Sequence, residues 1–402
     1  MPSFKSSIAP PKEFIGAILV IGIPSILYGL TFHMKLWTLG ADGLSVVSRT
    51  TVYWDFNNLW IGGRLALEGN INALFDMEIY RAQMDRLLGF DVPDQEWSYP
   101  PTMLLIGVPL ALLPIFWAYW VWTIGTVIAL HFALRAFKLQ PWVHVAILLS
   151  PAVFWNAIFG QNGAFLAALM LGGLMLAPKR PIIAGVLIGL MTIKPHLGIL
   201  IPFCFLASRN WAAFASASAT SVALFLIAGI AFGVDVWGQF FQQTQPMMSD
   251  IMNAIYPQSY QSNAMTVFVF MRMLGGDLFT AYGVQAVFSL VCIAYAIWLW
   301  RPANAIGHVD RVCLTSALVL LATPYGYTYD MIGLSAAIAI ICSRHSTIVL
   351  GPLLAAVWLL PYYNHMFFVN LSVALGAAVM LVAVCLLVLT VKSSEKNSIA
   401  SS

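Results

Sequence analysis

Charged residues are scarce in this sequence: Asp, Glu, Lys and Arg make up only 9% of its 402 residues, too few to cover the surface of a water-soluble fold. The formal charge of +3 comes from singly scattered basic residues, so no basic patch for nucleic acid is present. The five cysteines (Cys204, Cys292, Cys313, Cys342, Cys385) all fall in apolar stretches without C-x-x-C spacing, which argues against a disulfide framework or a zinc site. Walker loops, dinucleotide fingerprints and zinc-protease motifs are also missing, so neither ATP hydrolysis nor hydride transfer is supported. Neither an internal repeat nor a Gly/Ser linker interrupts the chain, so residues 1–402 read as one domain.

What is abundant is apolar sequence: 60% of the residues are hydrophobic and the mean hydropathy is +0.85. A hydrocarbon layer about 30 Å thick needs roughly 20 apolar residues per crossing helix. Runs of that kind recur without the alternating pattern of barrel strands. The expected fold is therefore all-α, a polytopic transmembrane helical bundle of about twelve spans. They are placed at 13–32, 115–136, 141–159, 162–177, 181–193, 195–207, 211–233, 279–300, 310–323, 329–343, 346–361 and 366–391. The first run follows Lys5 and Lys12 and is longer than a cleaved signal's core, so it is expected to stay as an anchor. Segment 101–114 would measure only about 21 Å as a helix and is assigned as half-inserted or interfacial.

With that assignment Arg135, Lys138, Lys179, Arg180, Arg209, Arg301, Arg311, Arg344, Lys392 and Lys396 gather on the side of Lys5 and Lys12, the cytoplasmic side. Both termini are then inside. Two hydrophilic segments, 33–100 and 234–278, face out. The first holds nine of the sixteen acidic residues, and the apolar spacing of Trp60 to Leu67 and of Ala73 to Leu88 suggests short interfacial helices.

The polar residues with chemical potential collect on that outer face. Asp55, in Tyr53-Trp54-Asp55-Phe56-Asn57-Asn58, is a carboxylate among aromatic rings. Partial desolvation would raise its pKa and suit it to accept a proton from a hydroxyl; the alternative is a helix-capping aspartate. Tyr99 precedes Pro100-Pro101, where proline marks a helix start. Gly160-Gln161-Asn162-Gly163 reads either as a simple turn or as a pair of amides for sugar hydroxyls or phosphate. Lys194, in Thr192-Ile193-Lys194-Pro195-His196, is the one basic residue of a short outer turn. It is a candidate partner for a lipid phosphate, with His196 beside it, or else a lysine snorkelling to headgroups. Gln258 to Asn263 and Thr323 to Asp330 combine rings with hydrogen-bonding groups, as a sugar site or an aromatic belt would; Asp330, an acid beside a span, is a candidate substrate contact.

Taken in order, Asp55-Phe56, Gly69 in Leu67-Glu68-Gly69, Tyr99-Pro100-Pro101, Gly160-Gln161-Asn162 and Ala184-Gly185 through Gly189 to Lys194-Pro195 resemble glycosyltransferase family 87. This is a family of GT-C type membrane proteins that includes polyprenyl-phosphate-mannose-dependent alpha-1,2-mannosyltransferases. The resemblance is good over about 50–210 and rests on hydropathy and tyrosine-rich loops beyond. It implies inverting transfer of mannose or a related sugar from a polyprenyl-phosphate donor to a lipid or glycan hydroxyl. The reaction would take place at the outer, periplasmic face of a bacterial cytoplasmic membrane; the 33–100 loop carries no Asp-x-Asp motif, so neither a metal nor another cofactor is expected. It also implies Asp55 as general base and Lys194, His196 and Arg64 at the donor phosphate. Tyr99, Gln161, Asn162, Asn263, Tyr327 and Asp330 would contact substrate. A transporter or flippase of lipid-linked sugars, and a polymerase or ligase of lipid-linked glycans, are the competing classes.

Overall fold

A computed structural model describes residues 23–89, 92, 95–345 and 351–400; Lys5, Lys12 and the first part of the 13–32 span lie outside them. The described residues are helical, with no strand beyond two isolated bridges, Leu39 to Ser45 and Ala264 to Tyr327. Five helices are long and apolar enough to cross a bilayer: Ile115–Phe137, Pro141–Phe159, Trp211–Phe232, Leu278–Trp300 and Gly376–Ser393. Others are apolar but shorter, among them Gly163–Leu176, Pro181–Ile193, Pro195–Ala207 and Ile332–Arg344. Fourteen residues of helix reach about 21 Å, so these elements fall short of a full hydrocarbon layer.

Burial sorts the helices into an inner and an outer set. Gly163–Leu176, His308–Ala322 and Ile332–Arg344 are buried along nearly their whole length. Trp211–Phe232 buries only Ala213, Ala228 and Gly229, and leaves Val222, Phe225, Leu226 and Ile230 exposed. Bare apolar surface on that scale is a face made for lipid. The bundle is tied together by small residues. A Cβ at Gly185 or Gly189 would run into Ala213, Ser216 or Thr220 of the neighbouring helix, and the Ser216 hydroxyl donates to the Ile182 carbonyl at 2.8 Å. Glycines four apart thus let Pro181–Gly189 lie directly on Trp211–Phe232. The former helix ends at Gly189, and a 3-10 turn, Leu190–Ile193, leads on to Lys194.

The 33–100 segment is folded. Phe56–Leu67 is a helix with nine of its twelve residues buried, so it packs into the protein instead of lying along a surface. The reason is steric: Gly63 abuts the Gly107 backbone and Gly62 the Trp97 ring, with no room for a Cβ at either. The Trp60 indole donates to the Leu113 carbonyl at 2.9 Å, and the Tyr80 hydroxyl to Asn58 at 2.6 Å. Met77–Leu88 is capped by Asp76, whose carboxylate accepts from the Ile79 N–H at 3.0 Å. In the 234–278 segment Asp235–Gln239 runs through a π-turn, Phe240–Thr244, into Gln245–Asn253. Gln239 donates to Asn72 at 2.9 Å and so joins the two hydrophilic segments.

Towards the C-terminus the boundaries differ from those expected. A helix Leu360–Leu371 spans the gap placed at 362–365, because Pro361 opens a fresh first turn and Ser372, with left-handed φ of 52°, closes it. Gly376–Ala400 follows.

Candidate functional site

Chain geometry delivers Asp55 to its position. Trp54 holds a left-handed backbone with φ of 48°, a conformation that costs an L-residue about 1 kcal/mol. Asp55 follows at the N-terminus of Phe56–Leu67, yet its side chain makes no capping hydrogen bond. Instead its Oδ2 accepts from Gln161 Nε2 at 2.8 Å, across 106 residues of sequence. The capping alternative therefore does not describe this carboxylate. Burial lifts it to about 6; the Gln161 hydrogen bond and the positive charge of Lys194 pull it down, and Glu96 pushes it up.

The Gly160-Gln161-Asn162-Gly163 turn is built for close packing. Gly160 has φ of +61°, ends the helix Pro151–Phe159, and presses on Phe56. At Gly163 a Cβ would strike the Tyr329 carbonyl. So both glycines are structural, and what they place is Gln161. Asn162 is 1% exposed and lies outside the cavity described next.

Lys194 stands at a break in the chain: Leu190–Ile193 ends there, its own backbone is neither helical nor extended (φ −149°, ψ 69°), and Pro195–Gly198 begins after it. Broken helices of this kind are tolerated at bilayer depth where the backbone borders a cavity. The Lys194 ammonium donates to Asp330 Oδ1 at 2.7 Å and sits 5.0 Å from the Tyr329 ring centroid.

These elements border one cavity of about 770 Å³. Its lining includes the polar groups of Tyr99, Gln161, Lys194, His196, Tyr325 and Tyr329, and the apolar side chains Val222, Phe225, Trp237, Phe240, Phe241 and Met252. Among the described residues Gln161 Oε1, Thr192 Oγ1 and His196 Nε2 have no hydrogen-bond partner, and all three residues line it. Buried polar atoms left unpaired are costly unless a ligand or water meets them. His196 is held edge-on to Tyr325 at 5.1 Å. Part of the apolar lining comes from the lipid-facing helix Trp211–Phe232, with Trp237 stacked on Phe225 at 4.1 Å.

Of the residues singled out from sequence, Tyr99, Gln161, Lys194 and His196 line the cavity, and Asp55 joins it through Gln161. Arg64 does not: it pairs with Glu68 at 3.6 Å and lies over Trp60. Asn263 accepts from Thr328 at 3.3 Å, and Tyr327 is packed between Tyr325 and Tyr329; neither borders the cavity. Both oxygens of Asp330 are engaged, one by Lys194 and the other by the Tyr327 N–H at 3.1 Å. Glu96 and Thr192 were not singled out. Glu96 is a carboxylate beside Trp97 and Tyr99, the same pattern of acid among rings that marked Asp55, and it was legible on that ground. Thr192 carried no sequence signal.

The model of glycosyltransferase family 87 matches residues 97–324. That stretch holds Tyr99, Gln161, Lys194 and His196 and extends well past 210, but begins after Asp55. A polyprenol-phosphate-mannose-dependent alpha-(1-2)-phosphatidylinositol pentamannoside mannosyltransferase of Mycolicibacterium smegmatis is 24% identical over 345 residues, covering 81% of this chain and 77% of its own length. No solved structure matches.

Proposed function

Because the chain belongs to glycosyltransferase family 87, we propose that it moves one sugar, mannose or a close relative, from a polyprenyl-phosphate donor to a hydroxyl of a lipid or glycan acceptor. Its setting is the outer face of a bacterial cytoplasmic membrane, with about twelve membrane segments, of which the shorter helices cross incompletely. The observation that carries this reading is one cavity lined by both charged or amide groups and apolar side chains. A lipid-phosphate sugar needs ammonium and amide groups for its head and an apolar, lipid-accessible wall for its chain; Lys194 with Gln161, and Phe225 with Trp237, meet those needs. The name of the mycobacterial relative supplies the donor class.

In the proposed step Asp55, ionised above about pH 6, takes the proton of the acceptor hydroxyl as its oxygen attacks the anomeric carbon. The bond from that carbon to the phosphate oxygen breaks on the opposite face, so configuration inverts. The phosphate leaves carrying its electron pair as an anion, and Lys194 stabilises the charge that develops there. Gln161 holds the Asp55 carboxylate in place through one amide nitrogen and offers its free oxygen to a sugar hydroxyl. Family membership weighs against the transporter and flippase reading.

The test is a panel of polyprenyl-phosphate hexoses and pentoses incubated with the purified protein in lipid, with products read by mass spectrometry. Transfer of a single sugar from one donor is expected. Movement of an intact lipid-linked sugar across vesicles without bond cleavage, or of a whole glycan, would refute the proposal.

A further inference from the structure

Lys194 and Asp330 come from segments 136 residues apart and meet at 2.7 Å with side-chain exposures of 7% and 0%. The two partners do not face the same space. Lys194 borders the large cavity, whereas Asp330 is absent from its lining and borders a separate small void with Leu166, Met170, Val319 and Leu320. Its second oxygen is held by the Tyr327 N–H. We propose that Asp330 is a positioning residue: it never touches substrate, and acts by holding the Lys194 ammonium, charged and aimed, at the wall where the departing phosphate forms.

An ammonium at a break in an apolar segment is expensive when alone, and an opposite charge at contact distance offsets most of that cost. The pair is neutral overall, so the charge of Lys194 is balanced at its place in the cavity wall. An ammonium has three N–H donors. Asp330 takes one from behind and the Tyr329 ring flanks the group at 5.0 Å, which leaves the remainder for an anion entering from the cavity. Asp55 and His196 also feel the charge of Lys194, and Tyr99, Tyr325 and Tyr329 line the cavity with it. Asp55 is engaged by Gln161, so Asp330 is the carboxylate in direct contact with the ammonium. A lysine held in advance stabilises phosphate charge without reorganising during the reaction. This inference rests on the phosphate role of Lys194 and extends it to a residue that cannot reach the phosphate.

A double-mutant cycle on the full-length protein in lipid separates the possibilities, using the polyprenyl-phosphate sugar that the wild type accepts. Asp330→Asn is expected to lower kcat/KM for the donor at least about tenfold, with acceptor KM little changed. Asp330→Glu, which keeps the charge, should recover about threefold or more of that loss. In a Lys194→Ala background, Asp330→Asn should cost less than about twofold further, because its target is already gone. Thermal unfolding should show the double variant Lys194→Ala, Asp330→Asn to be more stable than Asp330→Asn alone, since the lone variant strands a buried charge; this readout stands even if Asp330→Asn is too unstable to assay. Effects on donor kinetics that multiply would return Asp330 to direct substrate contact and overturn the inference alone. If Lys194→Ala left donor kinetics unchanged, the phosphate role would fall first, and the inference with it.

Discussion

Replacing Asp55 by Asn separates catalysis from stability, because the two should move in opposite directions. Asn is nearly isosteric and still offers an oxygen to Gln161 Nε2, so the 2.8 Å contact can persist. What disappears is the proton acceptor. General-base catalysis contributes roughly 10²–10⁴ in rate, so turnover should fall by at least about a hundredfold. In the wild type the rate should climb about tenfold per pH unit below about 6, where burial holds the carboxyl, and level off above it. The same burial predicts the stability change. A carboxyl raised from 3.8 to about 6 binds its proton more tightly in the folded protein than in the unfolded chain. Its favourable contribution is complete below about pH 3.8 and is lost as pH rises through 6. At roughly 1.36 kcal/mol per pKa unit, the ionised group costs at most about 3 kcal/mol near neutrality, and partial exposure to solvent reduces that to about 1–2 kcal/mol. Asp55→Asn should therefore unfold at a higher temperature than wild type at pH 7.5, with the gain shrinking towards pH 4.5. Initial rates and thermal unfolding in lipid across this pH range measure both. Turnover above about a tenth of wild type, or equal destabilisation at both pH values, would refute the assignment.

Three other perturbations test the rest of the site. Trp237→Ala removes the ring stacked on Phe225 at 4.1 Å and should raise KM for a long polyprenyl donor about tenfold while sparing a short-chain analogue; equal effects on both would show that the apolar lining does not hold the lipid chain. Gly160→Ala forces a side chain into φ of +61° against Phe56 and should destabilise the protein by about 2–4 kcal/mol, read as a lower unfolding temperature together with lost activity. Arg64→Ala should leave donor KM within about twofold, since Arg64 is paired with Glu68 away from the cavity; a larger rise in donor KM would restore it to the phosphate site.

Much of this was carried by one-dimensional pattern. Apolar runs without charges specify helices in lipid whatever their neighbours; Gln161 and Lys194 were conspicuous as polar residues in short turns between apolar runs, and Asp55 as an acid among aromatic rings. The glycines at Gly185 and Gly189 were visible too, though their partner helix was not. Helix ends depended on local chemistry that hydropathy smooths over, which is why Pro361 and Ser372 redrew the boundaries near the C-terminus.

Composition and order along the chain determined the solvent, the helical class and the family, because each depends on residue type and short-range spacing. Tertiary structure alone decided which polar groups face one another. Contacts such as Asp55 with Gln161, or Lys194 with Asp330, join residues more than a hundred positions apart, and no local periodicity encodes such a meeting. It also paired Arg64 with Glu68 and brought Asp330 to Lys194, since side-chain direction depends on how helices seat against each other and not on which residues adjoin in sequence.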